Sequence, residues 1–272
     1  VTLEVMKLGL SQDVLTRSGL LMPKNEGGYY DRFRNRIMFP IMDINGKVQA
    51  FGGRIFGEAD GAKYMNSPET PIYHKGRTLF GLNISRDEIR SSRTAILVEG
   101  YMDLIRLYQE GFQNVVAGTG TAFTSEQAGL VKRFADKVLV CYDGDAAGQK
   151  AAQKAGLTLL DKGLDVRIIQ IPEGEDPDSF FDEKDAKAFQ KLIGTALDFM
   201  TFVLRANQDQ MDSPVKRTAF LEGMVSELAL MQNEILRGML AGQLAEEMHV
   251  PEEAVMGLLK RQSKRVRRSE YT

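Results

Sequence analysis

Cysteine and histidine are scarce in this chain of 272 residues, which holds one of the former and two of the latter. The lone Cys141 excludes an internal disulfide and a multi-cysteine zinc site, and it fits a reducing cytosol and a buried strand position. His74 and His249 are isolated in the sequence, which argues against a histidine-based metal site or catalytic triad. A metal site in this chain would therefore be built from oxygen ligands.

Long apolar runs are also missing. No stretch approaches the ~20 residues that span a bilayer, and the N-terminus lacks the charged and apolar regions of a signal peptide. The sequence therefore predicts a cytoplasmic location and no membrane partner, and a chain that starts at Val1 suggests an excised fragment. With a formal net charge of −2, the chain has no global attraction for nucleic acid, so a polyanion site must be a local concentration of Lys and Arg.

Two nucleotide-binding motifs fail as well. The Walker A spacing does not occur, and Gly118-Thr119-Gly120 is followed by Phe123 where a dinucleotide fingerprint needs its third glycine. These gaps disfavour ordinary P-loop and nicotinamide chemistry.

Apolar runs alternating with helical patterns predict an α/β fold with three parts. Residues 1–93 mix helices and strands in an α+β N-terminal subdomain, with a hairpin at Asn45-Gly46. Residues 94–193 predict a mainly parallel α/β sheet, and residues 194–272 a helical bundle in which strands have ended. The central strands are predicted at 94–98, 137–141 and 165–171, and the helices at 101–110, 124–135 and 146–162.

Acidic residues stand where the predicted strands stop, and open α/β sheets place ligand sites at the carboxyl ends of their strands. Carboxylates converging there would repel one another by up to about 4 kcal/mol per close pair at an effective dielectric near 20. A bound Mg²⁺ or Mn²⁺ would relieve that repulsion. Taken singly, each acidic group can also be an ordinary turn or solvated loop. The candidates are Glu99, Asp103, Asp143, Asp145, Asp176 and Asp178.

Basic residues form two candidate groups for phosphate binding. Arg32, Arg34 and Arg36 alternate with other residues, so in a strand their guanidiniums would share one face and could track a phosphate backbone or make structural ion pairs. The second group lies on glycine-rich or turn-rich connections, where binding residues are common, and comprises Arg54, Lys63, Lys75 and Arg77. A further basic run, from Lys260 to Arg268, is interpreted by default as a solvated helix end.

Glu-Gly-Tyr-Met-Asp at 99–103 with Asp-Gly-Asp-Ala-Ala-Gly at 143–148 resembles the Toprim module of primases, topoisomerases and some nucleases. Longer strings narrow the resemblance to bacterial DnaG-type DNA primases: Tyr-Asp-Arg-Phe-Arg-Asn-Arg-Ile-Met-Phe-Pro-Ile at 30–41 and Lys-Tyr-Met-Asn-Ser-Pro-Glu-Thr at 63–70. The resemblance implies the RNA polymerase domain of a replicative primase. It also implies that the N-terminal zinc-binding domain and the C-terminal helicase-binding domain are absent, so that zinc and the replicative helicase concern only the full-length protein.

The resemblance further implies template-directed synthesis of RNA primers on single-stranded DNA from ribonucleoside triphosphates. The six acidic residues match the family's metal cluster, with Glu99, Asp143 and Asp145 catalytic and Glu99 either a ligand or a proton acceptor. Arg54, Lys63 and Lys75 match its nucleotide and nucleic-acid contacts, with Asn66 a weaker neighbour. Two alternatives stay open: a Toprim nuclease or topoisomerase, for which no tyrosine has a recognisable cleavage context, and a non-catalytic nucleic-acid or replisome-binding module.

Overall fold

The computed structural model describes residues 7–57 and 61–269. In the N-terminal part, the first turn of α1 (Gln12–Arg17) is capped by the Ser11 side chain. The short strands β1 (Leu21–Pro23) and β2 (Tyr29–Asp31) then pair antiparallel. A three-stranded antiparallel sheet follows, formed by β3 (Arg36–Met42), β4 (Val48–Ile55) and β5 (Tyr64–Asn66), in that order.

The turn between β3 and β4 confirms the predicted hairpin. The backbone N–H of Asp43 donates to the carbonyl of Lys47 at 2.8 Å, and Gly46 adopts a φ of +81°. Glycine takes that left-handed conformation at no steric cost and asparagine tolerates it, which is why Asn-Gly is a strong hairpin signal.

A 3₁₀ turn, Lys75–Arg77, leads into the central α/β region. The elements of this region are α2 (Leu82–Ser92), β6 (Thr94–Val98), α3 (Tyr101–Gln109), β7 (Val115–Ala117), α4 (Ser125–Lys132), β8 (Lys137–Val140), α5 (Ala146–Asp161), β9 (Asp165–Ile168), α6 (Pro177–Glu183), α7 (Ala186–Gly194) and β10 (Leu197–Asp198).

The central sheet has five strands in the order β10-β9-β8-β6-β7. The pairs β6·β7, β6·β8 and β8·β9 are parallel, which confirms the predicted mainly parallel α/β sheet.

The expectation that strands end at residue 194 is wrong, because β10 completes the sheet. Leu197 pairs with Ile168, and Asp198 pairs with Arg167, both antiparallel. A strand of two residues has no alternation for a sequence pattern to reveal, and it exists only through its pairing with β9.

The rest of the described chain is helical, as predicted. It contains α8 (Phe199–Ala206), a 3₁₀ turn (Gln208–Met211), α9 (Pro214–Leu228), α10 (Glu234–Glu247) and α11 (Glu252–Ser269). Pro214 takes the first helical position of α9, where a missing N–H costs no helical hydrogen bond, and Pro251 lies one residue before α11. No helix in the described ranges is long and apolar enough to cross a membrane.

Three groups of buried side chains hold these elements together. The largest runs from one face of the central sheet into the helical region, where Phe199, Met224 and Leu244 are buried in the same cluster as Val138 and Val166. A second cluster covers the other face of the sheet and is centred on the aromatic side chains Phe180, Phe181 and Phe189. Cys141 is buried and free, as expected.

The third cluster joins the N-terminal sheet to the central one. It packs Phe39, Ile41 and Ala50 against Tyr73 and Tyr101, the first residue of α3. Because Tyr101 also lies at the carboxyl end of β6, this contact brings the N-terminal sheet over the edge where the acidic residues converge.

Candidate nucleotidyl-transfer site

A cleft of about 390 Å³ opens at the carboxyl ends of the central strands. Its acidic wall comes from the loops after β6 and β8 and from the starts of α3 and α6. Its basic wall comes from β4 and the segment leading into β5. The acidic residues lining the cleft are Glu99, Asp103, Asp143, Asp176 and Asp178, and the basic ones are Arg54 and Lys63.

Burial and mutual repulsion act on the acidic wall. The pKa of Glu99 is raised to about 7, first by burial and then by the charges of Asp143 and Asp145. Burial, followed by the charges of Asp143 and its neighbours in the cleft, also raises the pKa of Asp103 to about 7. The pKa of Asp143 and that of Asp178 are raised too, again by burial and then by the charge of Asp176. A nearby cation would favour the charged forms of all four carboxyls.

Three of the predicted acidic residues also cap helices. The N–H of Gly100 donates to the Asp103 carboxylate at 2.9 Å, and the N–H of Ser179 donates to Asp176 at 2.6 Å. Asp145 accepts from the N–H of Gly148 at 2.7 Å, and its exposed side chain is not among those lining the cleft. The structure therefore brings five of the six acidic side chains to one cleft and leaves the sixth at its margin.

Gly144, between Asp143 and Asp145, packs against backbone and does not open space for a ligand. A Cβ at Gly144 would overlap the backbone carbonyls of Ile171 and Pro172, and the N–H of Gly144 donates to the carbonyl of Glu175 at 3.0 Å. The missing side chain thus allows the loop after β8 to pack against the loop after β9.

On the basic wall, Arg54 and Lys63 lie where they can act on the acidic side chains. The guanidinium of Arg54 lies over the ring of Tyr64, 5.9 Å from its centroid. Lys63 is close enough to Asp143 to lower the pKa of that carboxyl in part, against the larger effect of burial. These two cations are the side chains of the cleft that can meet a phosphate.

The predicted stripe of Arg32, Arg34 and Arg36 on one strand face is wrong. Arg32 and Arg34 fall between β2 and β3, where Asn35 adopts a φ of +49° and turns the chain, so only Arg36 lies in a strand. A strand alternation cannot continue through a left-handed residue.

Each of these three arginines has a local contact instead. Arg36 donates to the carbonyls of Gly53 and Ala62 at 3.1 and 2.9 Å, which ties the segment before β5 to β4. Arg34 lies over the ring of Tyr30, 5.0 Å from its centroid. Arg32 donates to the sulfur of Met22 at 3.1 Å. The sequence left both phosphate binding and a structural role open for these three arginines, and their contacts favour the structural role.

Lys75 and Arg77 lie on the 3₁₀ turn beside α4, and neither lines the cleft. The buried side chain of Gln127 donates to the carbonyls of Lys75 and Thr78 at 3.0 and 2.8 Å, which fixes the backbone of the turn. Arg77 forms an exposed ion pair with Glu126 at 3.4 Å. Lys75 is thus rigidly placed at its backbone, next to the cleft's margin.

Asn66 has a role that sequence reasoning missed. The hydroxyl of Tyr101 donates to its amide oxygen at 2.9 Å, and its amide nitrogen donates to the carbonyl of Thr119 at 2.8 Å. Both polar ends are therefore engaged within the protein, and Asn66 links β5 to α3 and to the loop after β7. Gly52 and Gly120 allow this approach, since a Cβ at either position would overlap Tyr101 or Asn66. No local sequence pattern predicts these contacts, because the two partners of Asn66 lie 35 and 53 residues away in the chain.

The donor chemistry of the acidic wall fits a hard divalent cation. All its candidate ligands are carboxylate oxygens, and one oxygen of Glu99 is buried without a hydrogen-bond partner among the described residues. In the described ranges, however, no three His, Cys, Asp or Glu side chains are already grouped closely enough to hold an ion.

Comparison with known proteins agrees with this fold. Residues 96–181 match a family model described as Toprim-like, which covers all the acidic residues of the cleft. Residues 2–86 match the model of the DNA primase catalytic core, N-terminal domain, and residues 197–253 match that of the DnaB-helicase binding domain of primase.

Individual relatives are primases. The DNA primase of Listeria innocua is 40% identical over 254 residues, which cover 91% of this chain and 40% of the relative. A DNA primase domain from Pseudomonas aeruginosa superposes with a TM-score of 0.82 at 35% identity, covering 94% of this chain and 83% of that one. A DnaG primase catalytic domain bound to single-stranded DNA gives a TM-score of 0.77 at 34% identity, covering 92% and 81%. This chain belongs to the DnaG-type family of bacterial DNA primases.

Two facts bound this assignment. The chain spans about two fifths of the length of the curated relatives it matches. We expected the helicase-binding domain to be absent, and this expectation is wrong. Residues 197–253 match the family model of the DnaB-helicase binding domain of primase. The helical periodicity of this region carried no motif from which such a match could have been predicted.

Proposed function

We propose that this chain is a DNA primase catalytic core that synthesises short RNA primers on single-stranded DNA during replication. The observation that carries the proposal is the cleft in which Glu99 and Asp143 face Arg54 and Lys63. A carboxylate wall opposite a cationic wall suits a triphosphate, because one side holds the counter-ion of the phosphates and the other contacts the phosphates themselves.

Glu99 and Asp143 would hold the divalent cation, Mg²⁺ or Mn²⁺, with Asp103, Asp145, Asp176 and Asp178 around them. When bound, such a cation polarises the α-phosphate and favours ionisation of the attacking hydroxyl. The protein's own contribution is the fixed position of these carboxylates, three of which are held by backbone N–H groups at helix starts.

In the proposed reaction, the 3′-hydroxyl oxygen of a ribonucleotide bonds to the α-phosphorus of an incoming ribonucleoside triphosphate. The bond from the α-phosphorus to the bridging oxygen breaks, and pyrophosphate leaves with its electron pair. Glu99 would take the hydroxyl proton if Asp143 and its neighbours hold the cation without it, because a carboxylate suits either role. Arg54 and Lys63 would neutralise charge on the phosphates.

The nucleic acid would follow the basic side of the cleft, between the N-terminal sheet and the central sheet. This ligand class is supported by the similar DnaG primase catalytic domain that is bound to single-stranded DNA. Lys75 would contact the nucleic-acid strand from the margin of the cleft. Arg77, Arg32, Arg34 and Arg36 would act on that strand only indirectly. Asn66 would position the acidic and basic walls relative to each other. The match of residues 197–253 supports a replicative helicase as a partner, and membership of a bacterial family supports a cytoplasmic location.

The proposal is tested by incubating the chain with single-stranded DNA, labelled ribonucleotides and Mg²⁺ or Mn²⁺, while RNA synthesis and DNA cleavage are followed together. We expect RNA products that are lost in Asp143→Asn. The matched control is Asp165→Asn, because Asp165 is exposed at the start of β9, the opposite end of the same sheet.

Cleavage without synthesis would move the assignment to the nuclease class. Absence of RNA products, together with absence of metal-dependent triphosphate binding, would contradict the proposal outright. A chain that binds DNA equally well with and without Asp143, and shows no metal-dependent reaction, would be a binding module.

A further inference from the structure

A second cleft, of about 720 Å³, lies between α10 and α11 and shares no lining residue with the acidic cleft. Two glycines, Gly238 and Gly257, line it, and a Cβ at Gly257 would meet nothing within 4 Å, so the cleft is open at that point. Ser263 lines the cleft as well, and its hydroxyl is buried without a hydrogen-bond partner among the described residues. Such a hydroxyl is a donor without an acceptor, which calls for an explanation in a folded protein.

The charge beside this cleft has one sign. Lys260, Arg261, Lys264 and Arg265 are all exposed, and helical spacing places them on the side of α11 opposite the buried Leu259. Within the described part of the chain, none of the four forms an ion pair or a side-chain hydrogen bond. We refer to Lys260, Arg261, Lys264 and Arg265 as the C-terminal basic face.

The acidic residues that line this cleft are fewer than the four cations of the face. Glu234 and Glu253 line the same cleft, but Glu234 pairs with Arg237 at 3.6 Å. After Glu253 the sequence of α11 holds no further acidic residue. In a chain whose formal net charge is −2, four unpaired cations on two turns are a local concentration of positive charge.

We propose that the cleft between α10 and α11 and the C-terminal basic face together bind a nucleic-acid strand through its phosphates. The cations recur four residues apart, about 6 Å along the helix axis, and so form two rows that can follow a repeating phosphate backbone. The open glycine side admits the strand. The choice of nucleic acid as the ligand rests on the proposed function.

The residues that line the cleft also indicate which interactions this surface does not make. Among the described residues that line the cleft, none is aromatic, so bases have nothing to stack on and binding is independent of sequence. A docked protein segment would need apolar anchors, and the described lining offers only Met256 and Leu259, the latter buried in the core. Phosphate contact alone makes the interaction steeply dependent on salt.

The test is the affinity of the chain for a labelled single-stranded oligonucleotide of about 30 nucleotides, longer than one binding site. Anisotropy is measured without divalent metal at several salt concentrations. Lys260→Gln with Lys264→Gln is compared with a matched control, Lys187→Gln with Lys191→Gln. Lys187 and Lys191 are also exposed, four residues apart on one helix, and without an ion pair in the described ranges. Both double variants lower the net charge by two.

We expect the Lys260/Lys264 variant to bind roughly tenfold more weakly at 0.1 M salt and to have a salt slope smaller by about 1.4, the loss of two phosphate contacts to a single strand. The control should keep the wild-type affinity and slope. Equal weakening in both variants, or no change in either, would overturn the proposal. So would an unchanged DNA affinity accompanied by lost binding of poly-glutamate, which would assign the face to an acidic protein.

This outcome is separable from that of the proposed function. If the wild-type chain makes no RNA but its DNA affinity still depends on Lys260 and Lys264, the C-terminal basic face stands and the primase assignment falls. If RNA is made and the Lys260/Lys264 variant binds DNA as wild type does, only the present proposal falls.

Discussion

Two sets of carboxylates in this molecule meet opposite conditions. In the cleft, burial and neighbouring negative charge raise the pKa of Glu99 and Asp103 to about 7. Elsewhere, the paired guanidinium hydrogen bonds of Arg93, at 2.8 and 2.7 Å, lower the pKa of Asp136. Burial pushes the pKa of Asp198 up, but hydrogen bonds from Thr201 outweigh it and the net direction is down. The cleft carboxylates therefore oppose folding until a cation arrives, whereas the others stabilise the fold as it stands.

The largest effect on the difference between the two sets of carboxylates is expected from Asp143→Asn. Removing the negative charge should reduce RNA synthesis by at least about 100-fold, a typical loss for a group that stabilises transition-state charge. The same change should raise the metal-free free energy of unfolding by roughly 0.5–2 kcal/mol, because it relieves repulsion at a functional site. Chemical unfolding without metal measures this gain, with Asp165→Asn as the control. A destabilised Asp143→Asn would contradict the view that the cleft opposes folding.

A bound divalent metal ion should remove the destabilising effect of the cleft carboxylates, so that they stabilise the fold as the other carboxylates do. At a free Mg²⁺ concentration about 100 times its dissociation constant, we expect the free energy of unfolding to rise by about 2.7 kcal/mol, since only the folded state holds the ion. Thermal unfolding with and without a chelator measures the rise. The same rise in Asp143→Asn would place the ion elsewhere in the molecule.

The stabilising set is tested by Asp198→Ala. Asp198 caps α8, and its carboxylate accepts from the N–H and the hydroxyl of Thr201 at 3.0 and 2.6 Å. Losing the cap should cost about 1 kcal/mol at pH 7 and leave RNA synthesis intact, because Asp198 does not line the cleft.

The pH dependence of that cost follows from the lowered pKa of Asp198. A carboxyl whose folded pKa lies below its unfolded value, near 3.9, stabilises fully above the latter, and this contribution disappears as the pH falls through the folded value. Urea unfolding of Asp198→Ala and wild type should therefore begin to converge as the pH falls below about 4, and coincide below the folded pKa. A gap that persists there would mean that packing, not charge, carries the effect.

The smallest effect is expected from Asp136→Asn. Both Asp136 and Arg93 are largely exposed, so solvent and salt screen their pairing. The unfolding temperature should fall less than in Asp198→Ala, and the difference from wild type should vanish at about 1 M salt, where the Debye length is about 3 Å. A loss that is insensitive to salt would contradict the view that charge carries the effect of this pair.

Topology explains why the acidic wall could be predicted. Glu99 follows β6 directly and Asp143 comes shortly after β8, and parallel strands bring their carboxyl ends to one edge of a sheet. A correct strand assignment therefore places both residues together without any knowledge of long-range contacts. Asp145 was expected in the same group. Its side chain instead caps the start of α5, by accepting from the N–H of Gly148, and stays at the margin of the cleft.

The basic wall was less predictable because its residues lie on connections whose path depends on distant contacts. The left-handed turn at Asn35 removed the arginine stripe, and Arg36 serves carbonyls 17 and 26 residues away. Asn66 looked like a nucleotide contact, yet Tyr101 and Thr119 satisfy both its polar ends. Composition can indicate that such loops bind something, but not which of their side chains remain available.

The apolar cluster that continues from the central sheet into α9, α10 and α11 has a consequence for how the molecule opens. Elements that share one set of buried side chains exchange their amide hydrogens as a single cooperative unit. We therefore expect deuterium uptake in α10 to slow when a ligand occupies the acidic cleft, although no residue of α10 lines it, and we expect proteases to release no folded helical fragment.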